Sequence, residues 1–153
     1  MKAVIKVIKC ANVAALDRLV ENAENLRRVY VGVPSGKKEE DGTPVALVAA
    51  SHEYGAPAAG IPERPFLRNT ITDNLDKYKR LNRINLLKVM KGQMNTDTAL
   101  GQLGAMAAGD VQQFIGNNDY QIKEKTKQRK GSSKALIDTG QLVQSITFEV
   151  RND

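Results

Sequence analysis

The spacing of hydrophobic positions along this chain changes several times, and each change marks an element. Residues 3–9 (Ala-Val-Ile-Lys-Val-Ile-Lys) mix β-branched residues with lysine and predict a short strand. Over 12–25 the apolar positions shift to helical spacing, with Val13, Leu16, Leu19, Val20 and Ala23 on one face and Asn12 as the cap. A second strand is predicted over 28–33 and stops at Pro34; the glycines, lysines and acids of 35–42 form a solvated hairpin or loop. Thr43-Pro44 has the form of a helix start, a capping hydroxyl followed by proline at the first helical position, and that helix ends near Gly55. All five prolines fall between Pro34 and Pro65, so irregular backbone is expected over 56–65.

Long helical periods follow. One helix is predicted over 66–91, with Leu67, Ile71, Leu75, Tyr78 and Leu81 at helical spacing and Lys77, Lys79, Arg80, Arg83, Lys88 and Lys91 on its other faces. Asn95 or Thr96 caps the next, which runs to about residue 115 and is striped by Leu100, Leu103, Ala107, Val111 and Phe114. Gly101, Gly104, Ala105, Ala108 and Gly109 make part of it slim. Each glycine costs about 1 kcal/mol against alanine inside a helix, so close packing of another backbone is the expected compensation. Residues 117–134 are polar and basic and predict a loop, 138–144 a turn or short helix, and 145–151 a last strand. The order β-α-β-α-α-α-β predicts an α+β fold in one domain over residues 1–153: a small, mostly antiparallel sheet on long helices, with a Pro/Gly-rich irregular segment and a basic loop.

Composition adds two constraints. Aromatic residues are only 5% and Trp is absent, so a core built mainly from Leu, Ile, Val and Ala is expected, modest alone and leaning on neighbouring subunits. The net charge of +6 speaks for non-specific attraction to polyanions rather than for any particular recognition. The single cysteine, Cys10, excludes an internal disulfide and fits a reducing cytoplasm. The N-terminus does not read as a signal peptide, and no apolar run reaches the roughly 20 residues needed to span a bilayer. A soluble protein is expected.

No complete catalytic set is present. His52-Glu53 matches the start of a zinc-protease helix motif, but position 56 is alanine and His52 is the sole histidine, so a histidine packed at a helix end is the expected reading. Gly32 to Lys38 follows a strand as a phosphate-binding loop would, but the glycine spacing is one residue short, and Lys38 stands where Ser or Thr would hold magnesium. Nothing nominates Cys10 or a serine as a nucleophile for His52. No enzyme activity, cofactor or metal is expected.

Two segments invite a binding role. Lys123, Lys125, Lys127, Arg129 and Lys130 form a basic stretch without interleaved aromatics; it reads either as a solvated loop or as an arm touching DNA or an acidic partner without sequence preference. Pro62 and Pro65 stiffen the backbone on either side of Arg64, just ahead of the helix that Phe66 and Leu67 anchor. The Arg64 guanidinium is placed to bind a carboxylate, with Glu53 the first expectation and a neighbouring subunit the second.

Three motifs in order resemble the virion-morphogenesis and tail-completion proteins of tailed bacteriophages, the neck family between head connector and tail tube. Val31-Gly32-Val33-Pro34 is similar to the family's early strand ending in Gly-aliphatic-Pro. Ala49-Ala50-Ser51-His52-Glu53-Tyr54-Gly55 with Ile61-Pro62-Glu63-Arg64-Pro65-Phe66-Leu67-Arg68 resembles its His-Glu-aromatic-Gly and Pro-x-Arg-Pro-Phe signature. Asp138-Thr139-Gly140-Gln141-Leu142, followed by Ser145-Ile146, is similar to its element before the last strand. The likeness covers about residues 29–151. It implies a non-enzymatic virion protein, made in the host cytoplasm, that forms a homo-oligomeric ring (hexamer or dodecamer) through which DNA passes. Head connector proteins would lie above it and tail tube or terminator proteins below. The same likeness places 62–68 and 138–142 near subunit or ring-to-ring contacts. Two rival readings remain open: a cytosolic, non-specific nucleic-acid-binding protein, and a small hydrolase using His52 as base.

Overall fold

The computed structural model describes residues 27–117 and 140–152, together with Asp17. The strand and helix expected over 3–9 and 12–25 and the basic loop of 117–134 lie outside the described residues, except for Asp17 and residue 117. The described elements are strand β1 (Arg27–Gly32), helices α1 (Val45–Tyr54), α2 (Phe66–Asp73), α3 (Leu75–Met90), α4 (Thr96–Asn117) and α5 (Gln141–Ser145), and strand β2 (Thr147–Asn152). The α+β class holds. β1 and β2 pair antiparallel from Arg27↔Asn152 to Gly32↔Thr147, although 114 residues lie between the end of one strand and the start of the other, and α4 packs against both. No helix among the described residues is long and apolar enough to cross a membrane.

The hairpin before α1 closes through Glu39 N–H to the Thr43 carbonyl (2.8 Å) and Val45 N–H to the Lys37 carbonyl (3.0 Å). Pro44 itself occupies the cap position of α1 in an extended conformation, so the predicted Thr43 hydroxyl cap is not formed. Instead the Thr43 N–H donates to the Asp41 carboxylate at 2.9 Å. That bond holds the Asp41 carboxyl below its ordinary pKa.

The single helix predicted over 66–91 is two helices. Asn74 sits between them at φ −102°, ψ 9°, and its side-chain amide donates to the Thr70 carbonyl at 2.9 Å. Thr72-Asp73-Asn74 is a run of side chains that compete for backbone hydrogen bonds, which accounts for the break. The break also rotates the buried face: Tyr78, Asn85 and Val89 point inward on α3, while Leu75, counted in the predicted stripe, is 45% exposed. Asn85 ties α3 to α4 by donating to the Ala99 carbonyl at 3.1 Å.

On α4 the expected Asn95 cap is present, its side-chain oxygen accepting the Thr98 N–H at 2.7 Å. The buried face runs through Ala99, Gly104, Ala107, Ala108, Val111 and Ile115, so Leu100, Leu103 and Phe114 lie at its margin. The slim stretch does its packing at Gly104. A β-carbon built there would come within 2.4 Å of Phe148 Cδ2 and 2.9 Å of Phe148 Cβ, so the absent side chain is what lets β2 lie against the helix. A β-carbon built at Gly109 meets nothing within 4 Å among the described residues.

At the other flank of α4, Asp110 accepts from Lys77 Nζ (2.7 Å) and from the Tyr78 hydroxyl (2.9 Å). Burial, and then the bond to Asp110, raise the Tyr78 hydroxyl well above its ordinary pKa of 10. The folded chain therefore holds this proton more tightly than the unfolded chain. The stabilisation is complete below about pH 10 and is lost as pH rises beyond it. In an alkaline absorbance titration, one of the four tyrosines is expected to ionise late, and Tyr78→Phe should remove that late component.

The main core cluster is Val45, Phe66, Ala108, Val111, Ile115, Leu142 and Ile146, with Val31, Val33, Ala49, Leu67, Phe114 and Val143 packed around it, and Tyr78, Val89, Ala99 and Ala107 are buried outside it.

Candidate interaction corner

The corner begins where α1 stops. Gly55 takes φ 74°, ψ 161°, a region essentially reserved for glycine, and a β-carbon there would meet the Glu63 backbone nitrogen at 3.0 Å. The chain then loops through a single 3-10 turn (Pro57–Ala59) and returns, with Ala56 and Ile61 exchanging backbone hydrogen bonds of 2.9 and 3.1 Å. The return brings Arg64 N–H onto the His52 carbonyl at 2.6 Å. Gly55→Ala is expected to cost about 1.5 kcal/mol from backbone strain and the contact with Glu63, measured by denaturant unfolding.

Helix α2 starts at Phe66 with Pro65 in the cap position, a residue with no side-chain acceptor for the first free N–H groups. Glu53, from the last turn of α1, supplies what Pro65 lacks. Its carboxylate accepts the Leu67 N–H at 2.8 Å and the Arg68 N–H at 3.0 Å, the same donors that a capping Ser or Asp would satisfy. The acid is 4% exposed and carries its negative charge at the positive end of the α2 dipole. Arg68 completes the arrangement. Its Nε donates to the same carboxylate at 2.9 Å, its Nη2 to the Glu53 carbonyl at 2.7 Å and to Glu63, and its guanidinium lies 5.1 Å over the Tyr54 ring. The Glu53 and Glu63 carboxylates raise the Arg68 pKa.

The expected pairing of Arg64 with Glu53 is therefore corrected: the ion pair of Glu53 is with Arg68. Arg64 is 7% exposed and directs Nη1 to His52 Nδ1 at 3.2 Å. A guanidinium only donates, so Nδ1 accepts and the ring proton of neutral His52 resides on Nε2. Residue spacing alone gives Arg68 no role beyond closing the Pro62–Arg68 motif. The available signal was the proline at the cap, which requires an outside carboxylate, and a cation at the third helical position beside it.

Pro62 and Tyr54 stand on the outer side of the corner, Tyr54 at 68% exposure, around an open groove of about 380 Å³ lined also by Pro57, Ile61 and Glu63. Among the described residues Glu63 is the one carboxylate in its lining, and it is engaged by Arg68. Phe66, by contrast, is core. At the other end of the chain, Gly140 in a left-handed conformation (φ 79°) leads into α5, and Leu142 is 5% exposed in the same core cluster as Phe66. Asp138, Thr139, Lys123, Lys125, Lys127, Arg129 and Lys130 lie outside the described residues.

The second and third motifs thus meet: α5 packs against α1, and Leu142 and Ile146 share a cluster with Phe66, with Val31 and Val33 of the first motif packed against it. No family model, curated protein or solved structure matches the chain.

Proposed function

We propose that this chain is a non-enzymatic structural subunit of a tailed-bacteriophage neck, forming a ring at the junction of head and tail. The observation that supports this reading best is the convergence of the three resembling segments. Separated by up to about a hundred residues of chain, they contribute Val31 and Val33, Phe66 and Leu67, and Leu142 and Ile146 to one cluster. The likeness therefore rests on one structural unit, the corner and its support, rather than on three scattered matches.

That unit leaves a specific surface outside. Along α1, Leu47 (58% exposed), Ala50 and Tyr54 recur at helical spacing, and α1 itself contributes no charged residue to that outer face, although Arg68 of α2 lies over the Tyr54 ring. Exposed apolar surface of this kind is what a subunit contact uses. The buried members of the motifs do not test such a contact. Replacing Leu142 or Arg64, at 5% and 7% exposure, would disturb the fold first. Leu47→Asp and Tyr54→Asp are the informative variants. Particles assembled with either are expected to accumulate as tailless heads and separate tails while the purified variants keep their circular dichroism. Infectious particles at normal titre from both would contradict the reading.

A further inference from the structure

Helix α3 carries more positive charge than its fold requires. Lys77 is engaged by Asp110 and Lys79 by Asp76, but Arg80, Arg83, Lys88 and Lys91 are exposed and form no ion pair among the described residues. Lys88 and Lys91 lie at the C-terminal end of the helix, where its dipole by itself favours cations. Arg80 and Arg83 lie mid-helix and have no such explanation. Arg80, Arg83, Leu87 and Lys91 recur three and four residues apart, so they form one ridge opposite the buried Tyr78, Asn85 and Val89. The ridge is about 16 Å long, a length over which one strand of a duplex presents roughly five phosphates.

We infer that this ridge is a sequence-independent contact for the phosphate backbone of duplex DNA. The tyrosine of α3, Tyr78, is 8% exposed, so the helix offers no ring on which unpaired bases would stack, and a duplex is favoured over a single strand. The net charge of +6 adds long-range attraction to any such polyanion. The ridge's place on the lumen side of a ring rests on the neck reading; its affinity for DNA does not.

The test is the binding of a labelled, mixed-sequence duplex to the purified chain across a salt series. Each phosphate contact contributes about −0.9 to the slope of log affinity against log salt. Arg80→Gln combined with Arg83→Gln is expected to reduce that slope by about 2 and to weaken binding at low salt by about tenfold or more. Arg80→Lys with Arg83→Lys, which keeps the charge, should leave the slope unchanged. A glutamine replacement of Lys123, Lys125 and Lys127 measures the competing basic stretch. The inference fails if the wild-type chain does not bind the duplex, or if the Arg80/Arg83 glutamine variant keeps the wild-type slope. It also fails if a single strand or anionic phosphatidylserine vesicles outcompete the duplex. A chain found in virus particles but without duplex affinity would overturn this inference and leave the ring standing.

Discussion

Replacing Glu53 by alanine is expected to remove about 3 kcal/mol of stability, more than any other substitution considered for this chain. Three consequences act together. The Leu67 and Arg68 N–H groups lose the acceptor that Pro65 cannot replace. The start of α2 loses a negative charge at its dipole. Arg68 loses the carboxylate that holds it over Tyr54. Glu53→Gln keeps one acceptor oxygen and should lose about half as much, because hydrogen bonds to a charged group are about twice as strong as neutral ones. Denaturant unfolding gives the magnitudes. Hydrogen exchange gives the location: faster exchange at Leu67 and Arg68 in Glu53→Ala, with α4 unchanged below its global opening, is the expected pattern. A loss within about 0.5 kcal/mol, the range of an ordinary surface substitution, would show that Glu53 does not cap α2.

The second large effect is at Gly104. Alanine there should be favourable by about 1 kcal/mol on helix propensity alone. The added methyl, however, meets Phe148 at its ring and its β-carbon, and the strand has to move. Overpacking of this kind costs about 1–3 kcal/mol, and with so close an approach the net result is expected to be a loss of about 2 kcal/mol. Gly109→Ala, with nothing within 4 Å, is the control and should gain about 1 kcal/mol. A double-mutant cycle isolates the contact: in a Phe148→Ala background, Gly104→Ala should change sign and become stabilising. Persistence of the loss in that background would place the cause elsewhere.

These two sites show what the amino-acid pattern could convey. The slim run from Gly101 to Gly109 announces a close approach, but only the strand register decides that Gly104 meets Phe148 while Gly109 meets nothing. The elements themselves were legible because hydrophobic period and turn chemistry agree: β1, α1, α4 and β2 fall within a residue or two of expectation, and of the two residues offered as the cap of α4, Asn95 is the one that caps. The helix across 66–91 was misread because Leu67, Ile71, Leu75, Tyr78 and Leu81 keep a helical period through a break that three polar residues impose. In the corner, the prolines announce stiffness, but the choice between Arg64 and Arg68 as the partner of Glu53 depends on where α2 begins. With Phe66 as its first residue, the acceptor-seeking amides are those of Leu67 and Arg68, and the carboxylate lies beside Arg68 rather than Arg64. Pairing at that scale follows backbone geometry, which residue spacing specifies only indirectly.

The corner joins stability to the proposed role. Glu53 fixes the angle between α1 and α2, and that angle sets how Tyr54 and the uncharged face of α1 are presented. The claim that this face serves a virion ring is tested most directly by quantitative mass spectrometry of any virus particles purified from cells that express this chain from its native genome. The account predicts the protein in intact particles at a fixed copy number equal to a hexamer or dodecamer. Infectious particles that contain none of it would contradict the account.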